Sequence, residues 1–253
     1  MNEINEGMHI PADIPQTRHE ILAAAAEKDY PRDLNFAETF AIALADLLRG
    51  LGELLFGGAS PAPEHIYISD VNESMEREIA EIINDVFSKD VIERWPAMDS
   101  TERQAYAEEY YSRLAIAMGL EPTEFVFNDL NPGYQPGIST SFTFGGHVER
   151  VDGSDYIELD FRLYDNPENL MKMISTTTHE ARHQYQFDVV NNPEKYADIL
   201  PQRTIDAFIW NWHNYFNSSM YGPELYYYQA LEVDAESFAQ NIMSEYDSIA
   251  NNK

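Results

Sequence analysis

Residues 179–183 read His-Glu-Ala-Arg-His. On a helix, residues four apart lie on one face, one turn above each other. His179 and His183 would therefore present two imidazoles able to share one zinc ion at about 2.0–2.1 Å each. Glu180 follows the first imidazole directly and would flank that ion, placed to take a proton from a water held there. A catalytic zinc keeps three protein ligands and an open position, so a third donor must come from elsewhere. Downstream, Leu231, Ala235, Phe238 and Ile242 form an apolar stripe, while Glu232 and Glu236, four apart, share a different one. Helical geometry lets either carboxylate bind the metal while the other steadies a ligand histidine.

The pattern H-E-x-x-H followed by E-x-x-A-x-x-F-A resembles the glutamate-zincins and, within them, the compact ImmA/IrrE-type metallopeptidases. The resemblance runs over about residues 124–245 and leaves the first hundred or so outside it. It implies zinc as cofactor, hydrolysis of peptide bonds, and Glu232 as the third ligand, the first glutamate of the second motif. Glu236 stands where the family usually carries Asn or Asp and would support a ligand histidine. An extended substrate in such proteins pairs with a sheet edge beside the metal, and Tyr156 to Leu163 is the sheet element expected near that cleft.

Peptide hydrolysis also needs a donor for the developing oxyanion, opposite the base. Tyr226, Tyr227, Tyr228 and His213 lie in the right region, and Tyr228, one turn before Glu232, is the foremost candidate. The remaining histidines, His9, His19, His65 and His147, lack partner spacing and read as surface or structural. Gln184 and Gln186 read as local polar contacts with no chemistry.

The elements that must position these groups follow from periodicity. Asn72 to Ser88 is expected to be helical, with Met75, Ile79, Ile82, Ile83 and Phe87 on one side. Asp99 and Glu102 have capping-box spacing at the head of a helix that stops near Gly119. Glu124 to Phe127 and Ser139 to Phe144 read as strands. Val148 to Val151 and Tyr156 to Leu163 flank Asp152-Gly153-Ser154, a hairpin turn. Ile157, Leu159, Phe161 and Leu163 alternate with polar residues, as in a half-buried strand. Asp165-Asn166-Pro167-Glu168 opens the motif helix, which ends near Asn191-Asn192-Pro193. Thr204 to Ser218 and Pro223 to about Ser248 complete a helical C-terminal part. Helices, a small antiparallel sheet, then helices argue an α+β fold, zincin-like by the resemblance. Gly57 to Pro63 reads as a linker. It separates an N-terminal helical segment, residues 1–60 (docking element, prosegment or part of the core), from a metallopeptidase domain over 61–253.

Composition narrows the partners. The 253 residues are 44% hydrophobic and 13% aromatic, enough to bury a sizeable core. The formal net charge of -28 repels phosphate backbones and anionic lipid heads. It disfavours nucleic acid and weakly favours a basic peptide or protein substrate. No cysteine is present, which excludes disulfides and thiolate metal sites. The longest apolar stretch, Phe40 to Phe56, carries Asp46, Arg49 and Glu53, too charged for a membrane span. The first residues lack a signal peptide's basic start and apolar run, pointing to the cytoplasm or to export without a recognisable signal. Nothing in the residues sets an oligomeric state.

Three functions compete at this level: an active zinc peptidase, a catalytically silent zincin-fold binding or sensor protein, and a metal-independent interaction protein working through the 35–56 helix. Glu180 favours the first, because a binding module has no use for that base.

Overall fold

The structure, a computed structural model, describes residues 69–132, 143–150, 153–215, 226 and 229–251. The expected helix at 35–56, the Gly57 to Pro63 linker, most of the Ser139 to Phe144 strand and Tyr228 lie outside them. The chain divides into two compact units. One holds the described residues 69–200 and 234–251; the other holds those of 201–233.

In the first unit, α1 (Ser69–Val86) buries Ile79, Ala80, Ile83 and Val86. A short helix α2 (Lys89–Arg94) and a 3-10 turn (Trp95–Ala97) lead to α3 (Ser100–Ala117). The Asp99 side chain accepts from Glu102 N at 2.9 Å, and Glu102 Oε2 accepts from Asp99 N at 3.0 Å, so both halves of the capping box form. Gly119, at φ 73°, ends the helix in the left-handed region, where a Cβ would be strained. Buried Arg103 donates to the carbonyls of Trp95, Met98, Tyr164 and Asp165, pinning α3 to the turn that precedes the motif helix.

Among the described residues the sheet has three strands: β1 (Glu124–Asn128), β2 (Gly145–Glu149) and β3 (Asp155–Asp160), in the order β1-β3-β2. β2 and β3 pair antiparallel around the tight turn at Gly153, whose φ is 83°. β1 runs parallel to β3, with Phe125 opposite Ile157 and Phe127 opposite Leu159. The sheet is therefore mixed, not antiparallel. A short turn forces antiparallel pairing only on β2 and β3, whereas residues 129–144 are long enough to carry the chain across to the far side of β3.

β3 also ends sooner than its alternation predicts, at Asp160. That fully buried carboxylate accepts from Leu130 N and Arg162 N and pairs with the Arg162 guanidinium at 2.7 Å. The chain then turns into α4 (Arg162–Asp165), so Leu163 is buried from a helical turn instead of a strand. Asn166, whose side chain accepts from Glu168 N, and Pro167 start a 3-10 turn that leads into α5 (Leu170–Asn191), the motif helix. Pro193 opens the short α6 (Pro193–Tyr196).

The second unit contains α7 (Gln202–His213), which buries Ile205, Ala207, Phe208 and Asn211. The last helix, α8 (Ala230–Asn251), runs unbroken from this unit into the first. Among the described residues, no helix is long and apolar enough to cross a membrane. The class is α+β: helices with a small three-stranded mixed sheet.

Candidate metal centre

Helix α5 is an interior element, which is why polar residues fill it without making it a solvent face. Thr177 and Thr178 are fully buried and return their hydroxyls to the carbonyls of Met173 and Ile174, each at 2.8 Å. From α3, the Tyr110 hydroxyl meets Thr178 Oγ1 at 2.7 Å, and Tyr111 donates to Gln184 Oε1 at 2.9 Å. Burial raises the pKa of both tyrosines, so they stay neutral hydrogen-bonding groups at physiological pH. These contacts fix the rotation of α5 and hence the direction in which His179, Glu180 and His183 point.

The two imidazoles converge. Their Nε2 atoms lie 3.1 Å apart. Two ligand atoms on one zinc with bonds of 2.0–2.1 Å at a tetrahedral angle should be about 3.3 Å apart, so this pair is already spaced to share an ion. The Glu232 carboxylate joins them: one ligand atom from each of His179, His183 and Glu232 lies within 4.8 Å of the others. Glu232 is carried on the same continuous helix as Asp234, two residues before it. The donor set, two imidazole nitrogens and one carboxylate oxygen, suits zinc.

Each imidazole is gripped on its other nitrogen. Glu236 Oε2 stands 3.5 Å from His179 Nδ1. The His179 contact holds the Glu236 carboxyl below its ordinary pKa; partial burial opposes this, and the Gln240 amide, at 2.7 Å, adds to it. His183 Nδ1 meets Gln186 Oε1 at 2.8 Å, and Gln186 Nε2 donates to Asp234 Oδ2 at 2.8 Å. Asp234 also takes two hydrogen bonds from Arg182, at 2.7 and 3.1 Å, and Arg182 sits 4.5 Å from the ring centroids of both Tyr185 and Phe238. Gln186, Arg182 and Asp234 have roles the sequence pattern did not suggest. An i, i+3 step from His183 to Gln186 within the motif helix was the one available signal.

Glu180 is buried beside β2. An added Cβ on Gly145 would come within 3.0 Å of Glu180 Cγ, 2.7 Å of Leu159 Cδ2 and 3.1 Å of the Glu158 carbonyl. Among the described residues β3 is the middle strand, so the strand that ends the sheet on the Glu180 side is β2, not the Tyr156 to Leu163 segment. Gly145→Ala should cost about 1–3 kcal/mol by overpacking. Gly146→Ala, whose nearest neighbour would be Glu158 at 3.9 Å, should be close to neutral. Urea unfolding of the two variants makes the comparison, and equal midpoints would show that β2 can shift away from Glu180.

Of the oxyanion candidates, the structure describes Tyr226 and His213. Tyr228 and Tyr227 lie outside the described residues, and His213 is exposed at the end of α7. Tyr226 packs edge-on against Tyr215 at 6.1 Å. Tyr215, absent from the sequence-derived candidates, donates its hydroxyl to Glu232 Oε1. Burial, then the Glu232 charge, push its pKa far above the ordinary value. His147 is structural: its side chain is buried and its Nε2 lies 2.8 Å from Asp155 Oδ2.

Glu232 and Glu236 are thus distinguished by position. Glu232 is the carboxylate grouped with the two imidazoles within 4.8 Å, while Glu236 reaches His179 Nδ1 and is 60% exposed. Removing a supporting contact costs about 10–100-fold in metal affinity, and removing a direct ligand should cost more. Zinc competition with a chromogenic chelator should therefore show near-complete loss for Glu232→Ala and partial loss for Glu236→Ala. A larger loss for Glu236→Ala would exchange their roles. Comparison of the chain with family models, curated proteins and solved structures returned no match.

Proposed function

We propose that this chain is a zinc-dependent peptidase of zincin-like fold. The observation that carries the reading is the convergence of the His179, His183 and Glu232 ligand atoms within 4.8 Å, with Glu180 next to the first imidazole on the same buried helix. Zinc, when bound, supplies Lewis acidity that polarises a scissile carbonyl and lowers the pKa of a water. His179, His183 and Glu232 hold it. Glu180 accepts the proton of the attacking water and passes it to the leaving amine. Gly145, by lacking a side chain, leaves Glu180 room beside the β2 backbone. The acidic surface favours basic peptides among the possible substrates.

The test is metal analysis of the purified protein together with a peptide-library digest. The expected result is about one zinc per chain and cleavage that a chelator stops and added zinc restores. Protein that stays metal-free when zinc is supplied would sink the reading. Stoichiometric zinc without cleavage of any library member would favour a silent zincin-fold sensor or binding protein.

A further inference from the structure

The hydrogen bonds that link His183, Gln186 and Asp234 have one consistent assignment. Asp234, paired with the Arg182 guanidinium on both oxygens, is a carboxylate and can only accept. The Gln186 group that faces it at 2.8 Å must therefore be the amide NH2. The Gln186 carbonyl oxygen must then be the atom 2.8 Å from His183 Nδ1. A carbonyl oxygen cannot donate, so Nδ1 must carry the hydrogen. In a neutral imidazole the other nitrogen, Nε2, is then the bare one, with its lone pair directed toward His179 Nε2.

We infer that Asp234, acting through Gln186, selects the Nδ1–H tautomer of His183 and so keeps Nε2 ready to bind a metal. The inference rests on the zinc reading above only for the purpose of that lone pair; the tautomer itself is a property of the metal-free chain. The arrangement differs from the commoner one, in which a carboxylate touches the ligand histidine directly. Here a neutral amide stands between the two. Gln186 transmits the direction set by Asp234 while the negative charge stays on the far side of the amide, against Arg182. Both are positioning residues. His179 differs, with its Nδ1 facing the largely exposed Glu236 carboxylate at 3.5 Å.

Arg182 anchors the relay. It is fully buried, lies 4.5 Å from the Tyr185 and Phe238 ring centroids, and is bound to Asp234 through two nitrogens. Asp234 therefore cannot turn away from Gln186 without breaking an interior ion pair. The tautomer of a residue on α5 is in this way decided by a residue on α8.

The experiment is nitrogen-15 NMR of the imidazoles in metal-free protein at about pH 8, where an imidazole of ordinary pKa near 6.5 is neutral. The parent should show His183 with a protonated Nδ1 and a bare Nε2. An Nε2–H form in the parent overturns the inference with no variant required. Gln186→Leu, which keeps bulk but removes the acceptor, should shift His183 toward the Nε2–H form. It should also lower zinc affinity by about 10–100-fold in chelator competition. A folded Gln186→Leu protein with the parent's tautomer, or with the parent's zinc affinity, overturns it as well. Failure of the parent to bind zinc would remove the proposed function instead, and the tautomer measurement would still judge the relay.

Discussion

Glu180→Gln is expected to leave zinc binding at the parent level and to reduce peptide hydrolysis by about 10²–10⁴-fold, the usual contribution of a positioned general base. The substitution preserves shape, so the tight packing of Glu180 against Gly145 on β2 persists and the fold should be unaffected. Only the capacity to accept a proton is lost, because an amide oxygen is far less basic than a carboxylate. Two measurements on the same preparation decide the matter: zinc affinity by chelator competition, and the rate on a peptide taken from the library digest. A variant that cleaves at the parent rate would show that another group takes the proton. A variant that loses zinc along with activity would show that Glu180 helps to hold the metal.

The largest stability effect should come from Asp234→Ala. Arg182 and Asp234 form an ion pair whose side chains are 0% and 1% exposed. Removing one partner of a buried pair leaves an uncompensated interior charge, at a cost of about 3–5 kcal/mol. The Gln186 amide loses its acceptor in the same step. Urea unfolding should show the loss directly. The double variant Arg182→Met, Asp234→Leu should be less damaged than Asp234→Ala, because replacing both charges by apolar groups of similar volume is often neutral. An Asp234→Ala midpoint within about 0.5 kcal/mol of the parent, the range of ordinary surface changes, would mean that water reaches Arg182 and the pair is not sealed.

Local rules were enough for much of the scaffold. The Asp99 and Glu102 capping box and the Gly119 stop are set by residues within a turn of one another, and both form as expected. The alternation of Ile157 and Leu159 marks the face that β3 buries, and Gly153 marks its turn. Strand direction is another matter, because alternation is the same whether a neighbour runs parallel or antiparallel. The pairing of β1 with β3 joins segments that are not neighbours in the sequence. The early end of β3 depended on Asp160, whose partners Leu130 and Arg162 flank the strands on different segments. At the site, the spacing of His179, Glu180 and His183 was legible because one helix turn contains it. Asp234 was not, because it meets Gln186 and Arg182 only after α8 docks on α5. Gly145 could be read only from the gap left for a missing Cβ.

The depth at which α5 lies also governs how the centre can breathe. From Thr176 to Gln186 every residue except His179 is buried, and its Arg182 is locked to α8. Amide hydrogens in this stretch should therefore exchange slowly, through openings that part α5 from α3 and α8. His179, Glu180 and His183 are expected to lie on a slow-exchanging segment. On the peptidase reading proposed above, the adjustment to a substrate would come from residues around α5, with the helix itself as a fixed bench.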